Sequence, residues 1–185
     1  MELKQWTPEE MMEEGLCPGY TLETLLKLWA GRESVNLLDI FEMPIPYSDM
    51  IWVATRKGAQ PKAIRKDYIE DTVTRCVSNH AIGTVIDKWA RGWIDGTDRR
   101  EKSAVEARAV ARVGAAAAAW EAAFAAELAT RAEAEAPWQA ARAGARASSW
   151  AAAAGEEESE MEAELAAMAE EYKHQVDYLA VVLKQ

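Results

Sequence analysis

The amino-acid sequence predicts an all-α fold: an antiparallel helical bundle with Ala-rich, close-packed helices and little or no β structure. Helix start signals and helix breakers recur along the chain, whereas no strand-like alternation of apolar and polar residues stands out. Alanine, which has the highest intrinsic helix propensity, dominates residues 101–155. Half of the 185 residues are apolar and 28% are charged, a balance that is typical of globular proteins rather than disordered ones.

The first hundred residues predict a series of short helices. Thr7 and Glu10 form a capping box around Pro8, a residue that suits the first helical position. The other predicted starts are Thr21, Ser34, Ser48 and Pro61, and the predicted stops are Gly15, Gly31, Pro44, Gly58 and Asp95-Gly96. The segment TVIDKWARGWI, just before the last of these stops, predicts one further helix.

Two long Ala-rich helices and an acidic final helix are predicted to follow. Asp98 and Glu101 form a capping box that predicts a long helix ending before Pro137, which opens the second helix. The first helix carries its large side chains within about 80° of one another, so this stripe should face the core. The stripe consists of Val113, Trp120, Phe124 and Leu128. Small residues in both helices should let their axes approach closely.

Charge divides the chain into zones that differ in sign. Residues 1–55 hold ten acidic and three basic side chains, and residues 156–185 hold nine acidic and two basic ones. Residues 56–100 are basic by contrast, with ten cations and six anions. We therefore expect an acidic helical segment over residues 1–58 and an Ala/Trp-rich bundle over 59–185, together forming one compact domain.

Composition also excludes several classes of function. A net charge of −10 argues against direct nucleic-acid binding, which needs surplus lysine and arginine. A membrane span needs about 20 apolar residues, and a window of that length starting at residue 115 is interrupted by Glu121, Glu127, Arg131 and Glu133. The first residues lack the basic and apolar regions of a signal peptide, and two isolated cysteines predict free thiols, so a cytoplasmic location is expected. No cofactor motif is present.

Two residue pairs could carry chemistry, and for both a structural role is the better interpretation. Glu171 and His174 have the spacing of half a di-iron carboxylate motif, but a complete site needs that motif twice and two further glutamates. Cys76 and His80 lie four residues apart, a spacing that places a nucleophile and its base on one face of a helix, yet both follow an apolar stripe and no orienting acid is evident. An enzyme is therefore not expected.

From Ile51 onward the order of segments resembles an uncharacterised family of bacterial and phage helical proteins, some of them labelled immunity proteins. The matching residues are IWVATR (51–56), a basic helix with Arg75-Cys76-Val77, WARGWIDG (89–96), and the AAAAAW and SSWAAAA tracts. The likeness covers residues 51–183 and excludes the acidic N-terminal segment. It implies a role in mobile-element or conflict biology, without a known reaction or functional residues.

These observations predict a non-enzymatic phage or mobile-element protein that binds and blocks a protein partner with a basic surface. An anti-CRISPR-like inhibitor of a nucleic-acid-handling effector is the leading hypothesis. The alternatives are an immunity or antitoxin-type binding protein, a self-associating structural protein, and an enzyme with an unrecognised site. The predicted contact residues are Trp150, Glu156, Glu157, Glu158 and Glu160. A secondary candidate surface consists of Arg56, Lys57, Lys62, Arg65 and Lys66.

Overall fold

Ten helices make up the regular structure of the residues that the computed structural model describes, which are 3–16, 19–56, 58–114, 116–131, 136–153 and 160–185. They are α1 (Pro8–Glu13), α2 (Leu22–Trp29), α3 (Leu37–Phe41), α4 (Tyr47–Ala54), α5 (Lys62–His80), α6 (Asp87–Ile94), α7 (Glu101–Val113), α8 (Ala117–Thr130), α9 (Ala136–Ala153) and α10 (Glu160–Leu183). Those residues contain no strand, only an isolated bridge between Trp6 and Val35. The predicted all-α class is confirmed.

Several helix starts follow the predicted caps. The Thr7 hydroxyl accepts from the Glu10 amide at 3.2 Å, and the Glu10 carboxylate accepts from the Thr7 amide at 2.9 Å, which completes the capping box of α1. Thr21 caps α2 in the same way through the Thr24 amide. These local hydrogen bonds satisfy amides that have no partner within the helix.

Other predicted caps are wrong. Asn36 rather than Ser34 caps α3, and α4 begins after Pro46 instead of at Ser48. Asp98 does not cap α7, because its carboxylate accepts from the side chains of Arg100, at 2.8 Å, and Ser103, at 2.6 Å. These two hydrogen bonds lower the pKa of Asp98 to about 2. A short polar side chain such as that of Asp98 can accept hydrogen bonds from the amides of a helix start or from neighbouring side chains. The sequence alone does not show which of these donors it takes.

The single long helix that the sequence predicted before Pro137 is two helices. Gly114 ends α7, and α8 begins at Ala117. A Cβ atom at Gly114 would lie 3.0 Å from Val85 Cγ2, so the missing side chain lets the end of α7 pack closely on the loop before α6. The predicted core stripe is wrong at Val113 as a consequence, since this residue is 89% exposed at the end of α7. The rest of the stripe faces the core from α8, where Leu128 is buried and Trp120 and Phe124 are partly buried.

The Ala-rich helices pack closely, as predicted. α8 contacts α7, α9 and α5, and α9 also contacts α10 and α5. The contact faces consist of fully buried alanines, among them Ala122, Ala125 and Ala126 on α8 and Ala140, Ala141 and Ala145 on α9. The N-terminal segment joins this bundle through α3 and α4, which pack against α10. The arrangement leaves the ends of α7 and α9 and the start of α8 around a common opening.

Candidate functional site at the junction of three Ala-rich helices

Trp150 is the unusual apolar side chain of this molecule. All eight tryptophans lie in the described residues, and Trp150, in the last turn of α9, is the one that is more than a third exposed, at 45%. Trp138, twelve residues earlier on the same helix, stacks on Tyr172 of α10 with ring centroids 6.2 Å apart. The sequence predicted this difference, because one neighbouring helix cannot cover both faces of α9.

Trp150 lines a groove of about 320 Å³ where α7, α8 and α9 meet, called here the Trp150 groove. Its apolar walls are the indoles of Trp120 and Trp150 and three alanines, and its polar side chains are Arg112, Glu121 and Arg146. A larger depression of about 620 Å³ continues along α7. The two share Arg112 and Trp120, and the valines of the depression, Val105 and Val113, are exposed.

Glu121 is the buried charged group of the Trp150 groove. Its side chain is 1% exposed, and its carboxylate lies 2.8 Å from the guanidinium of Arg146. Burial raises the pKa of Glu121, while the nearby Arg146 guanidinium opposes that shift. The ion pair therefore holds Arg146 of α9 on α8, in the lining of the same groove as Trp150.

A second ion pair supports Trp120 from the other side. The guanidinium of Arg108 lies 5.7 Å from the centre of the Trp120 ring and 4.7 Å from that of Phe124. The same guanidinium pairs with the buried Glu127 carboxylate at 3.1 Å, and Trp120 stacks on Phe124 at 5.5 Å. The Trp120 indole, which lines both the groove and the depression, is thus held by the cationic Arg108 and the aromatic Phe124.

The predicted acidic contact residues cannot be placed beside Trp150. Glu156, Glu157 and Glu158 lie outside the described residues, and so does the side chain of Glu160, the first residue of α10. Their role in binding stays a prediction. The described polar side chains that line the groove carry two positive charges and one negative charge. The sequence pattern did not indicate Arg112, Glu121 or Arg146 as site residues; the isolated Glu121 directly after Trp120 in an apolar helix was the available signal.

The secondary basic surface is only partly assembled by the fold. Lys62, Arg65 and Lys66 lie in the first two turns of α5, with both lysines exposed, and Lys57 lies outside the described residues. Arg56 stacks on the Trp52 ring at 3.8 Å. Further along α5, Arg75 pairs with Glu171 of α10 at 2.7 Å, so part of the basic helix faces the acidic end of its own chain.

Cys76 packs in the interior, as the sequence predicted, whereas His80 lies at the edge of the core. Cys76 is buried, and burial raises the pKa of its thiol, which disfavours the nucleophilic thiolate. His80 is partly buried, and its Nε2 lies 3.3 Å from the hydroxyl of Ser148 on α9. The contact between His80 and Ser148 joins α5 to α9. Cys76 and His80 therefore have a packing role rather than that of a nucleophile and its base.

Glu171 and His174 do not meet further metal ligands in the described part of the chain. His174 is exposed, whereas Glu171 is bound by Arg75 and by the Gln175 amide at 2.9 Å. Within the described residues, no group of three histidine, cysteine, aspartate or glutamate side chains is placed to hold a metal ion. Glu171 instead belongs to a buried polar network that includes Gln175 and Tyr68.

The stability of the protein should fall as the pH drops below the ordinary pKa of histidine, in part because of His80. Burial lowers the pKa of His80 from 6.5, and nearby Glu171 opposes that shift, so the unfolded chain binds this proton more readily than the folded chain does. The stabilising contribution of His80 is present above about pH 6.5 and is lost as the pH falls towards the folded pKa. Urea unfolding at several pH values measures this dependence.

The control for this prediction is the second histidine. His80→Gln should flatten the stability curve below about pH 6.5, whereas His174→Gln changes an exposed side chain on α10. An unchanged curve for His80→Gln would contradict the prediction.

Comparisons with protein-family models, with curated proteins and with solved structures gave no match to this chain. The resemblance to phage and bacterial immunity-type proteins therefore stays a prediction. None of the helices in the described residues is both long enough and apolar enough to cross a membrane.

Proposed function

We propose that this chain is a non-enzymatic binding protein that blocks a protein partner, with Trp150 at the centre of the contact. The observation that carries this proposal is the exposure of Trp150, at 45%, on the rim of a preformed groove. Leaving a large aromatic ring in water forgoes the free energy of burying it, and protein interfaces are enriched in tryptophan at their centres. The exposed valines of α7 extend this apolar surface beyond the groove.

The chemistry of the groove favours binding over catalysis. Its described ionisable side chains are two arginines and one carboxylate. Arginine keeps its proton at physiological pH and so makes a poor acid or base, and the Glu121 carboxylate is already paired with Arg146. These residues position an aromatic surface and supply charge, which suits recognition of a partner.

For the partner class, we propose a nucleic-acid-handling protein in the host cytoplasm, as for an anti-CRISPR-like inhibitor. The net charge of −10 supports this choice, since an acidic protein is attracted to the basic surfaces with which such partners hold nucleic acid. Exposed carboxylates such as Glu9, Glu13, Glu162 and Glu170 contribute to that charge in the described residues. An immunity or antitoxin-type role would use the same binding surface against a toxin.

Replacing Trp150 by alanine should abolish or strongly weaken capture of the partner while leaving the fold intact. An interface tryptophan of this kind contributes about 2 kcal/mol or more, which corresponds to a loss of roughly thirtyfold in affinity. Wild-type, Trp150→Ala and Leu26→Ala proteins would be used as baits in a lysate of a host that carries the gene, with quantification by mass spectrometry. Circular dichroism would verify that each bait is folded.

Leu26 is the matched control because it is 52% exposed on α2, whose helix contacts within the described residues are with α1. We expect Leu26→Ala to capture the same proteins as the wild type. If Trp150→Ala also captured them in full, the contact would lie elsewhere, and the basic surface of α5 would be the next candidate.

A further inference from the structure

The Trp150 groove and its neighbouring depression form a local basic surface on an acidic protein. Among the described residues that line the two cavities, the cations are Arg108, Arg112 and Arg146, and the one carboxylate is that of Glu121. Arg108 is held by Glu127, and Arg146 by Glu121. Arg112 is exposed, and no ion pair joins it to another described residue. Its guanidinium is therefore available to an incoming anion.

From this arrangement we propose that the Trp150 groove binds an acidic, apolar segment of a partner protein, with a carboxylate of that segment paired to Arg112. This inference rests on the proposed binding function and names the chemistry that the site recognises. An apolar side chain of the segment packs against Trp120 and Trp150 over the alanine walls. The carboxylate beside it receives charge-assisted hydrogen bonds from the Arg112 guanidinium, whose planar fork suits bidentate pairing.

The size and shape of the cavities fit a peptide segment. A volume of about 320 Å³ is at the small end of the range for ligand sites, and accommodates one or two side chains. The depression along α7 continues the same apolar surface past Val105 and Val113, which are 38% and 89% exposed. A segment that inserts one side chain into the groove can therefore lie along α7 with its acidic residues near Arg112.

The charges of the groove disfavour a basic segment at the same place. An incoming lysine or arginine would meet Arg112 and Arg146, and like charges at close range are costly. The carboxylate that could attract it, Glu121, is buried and neutralised by Arg146. The groove thus requires an anion even though the whole chain, at −10, attracts basic surfaces at long range. The partner we infer has an acidic apolar segment beside its basic region.

The test uses the full chain and a defined probe. The probe is a fluorescein-labelled peptide of about twelve residues built from leucine, tryptophan and glutamate, and its counterpart has lysine at every glutamate. Fluorescence anisotropy should show at least about tenfold tighter binding of the acidic peptide, with an affinity that weakens as salt is added. Equal or tighter binding of the lysine peptide would overturn the inference.

Two charge reversals locate the anion site. Arg112→Glu should weaken binding of the acidic peptide about tenfold or more, as expected for loss of a charged hydrogen bond. Lys184→Glu is the matched control, because Lys184 is an exposed cation directly after α10 and belongs to neither candidate surface. Its reversal makes the same change in net charge and should alter the affinity by less than about twofold. Equal losses in both variants would indicate general charge attraction and overturn the proposal.

The isosteric variant Glu121→Gln provides a second readout. It removes the negative charge that neutralises Arg146 and keeps a side chain of the same size that can still accept a hydrogen bond from Arg146, so the acidic peptide should bind about threefold or more tighter. An unchanged or lower affinity in a folded variant would count against recognition of a carboxylate. Sedimentation analysis tests whether the groove is instead filled by a second copy of this chain. A dimer that dissociates in the Arg112→Glu variant would assign the groove to that second copy and overturn the inference.

Failure of this inference can be distinguished from failure of the proposed function. If Trp150→Ala loses the captured partner but the acidic peptide does not bind, the chain is still a binding protein and the chemistry assigned to the groove is wrong. If the peptide binds as expected but capture is unaffected by Trp150→Ala, the groove recognises acidic segments, and the blocking function does not depend on it.

Discussion

Replacing Gln175 by alanine is expected to lower the free energy of unfolding by about 2–5 kcal/mol. The side chain is fully buried on α10, where its Oε1 accepts a hydrogen bond from the Tyr68 hydroxyl at 2.8 Å. Its Nε2 donates to Glu171 at 2.9 Å and lies 3.4 Å from the Ala141 carbonyl. Alanine leaves a cavity and removes the partner of the buried Tyr68 hydroxyl, and both effects are unfavourable.

Urea unfolding followed by circular dichroism measures this loss. Gln139→Ala is the matched control, since Gln139 is exposed on α9, and it should change the stability by less than about 0.5 kcal/mol. Tyr68→Phe removes only the hydroxyl from the same network and should cost about 1–3 kcal/mol. A Gln175→Ala protein as stable as the wild type would show that the network does not join α5, α9 and α10.

Replacing Trp29 by alanine is expected to cost about 3–5 kcal/mol. Trp29 is 2% exposed at the end of α2, and its indole Nε1 donates to the Trp6 carbonyl at 3.1 Å. Trp6 is fully buried, and its backbone forms the isolated bridge with Val35. The substitution therefore removes a large apolar surface and leaves a buried carbonyl without this hydrogen bond.

Leu26→Ala on the same helix is the control, because its side chain is 52% exposed and its loss should cost less than about 0.5 kcal/mol. A loss below about 1 kcal/mol for Trp29→Ala would mean that α1 and α2 are not held by this core.

Unfolding in a single transition would support the predicted single domain, whereas two transitions would favour separate units near the expected boundary at residue 58.

The candidate site could be predicted only in part. Exposure of Trp150 follows from its position on α9, because Trp138 lies about a third of a turn away around the same helix. The groove beside it could not be predicted, since it depends on the break at Gly114 that sets α7 against α8. The pairing of Glu121 with Arg146 likewise depends on how α8 packs against α9, since these two residues are 25 positions apart in sequence.

By itself the sequence determined the all-α class, the close packing of the Ala-rich helices and the caps at Thr7 and Thr21. These features depend on intrinsic helix propensity and on hydrogen bonds between residues three apart in sequence. Both are local properties and do not depend on how distant segments of the chain are arranged. Tertiary structure alone decided the break at Gly114, the buried network around Gln175 and the charges beside Trp150. Each of these depends on contacts between distant segments, whose geometry the local pattern of residues does not specify.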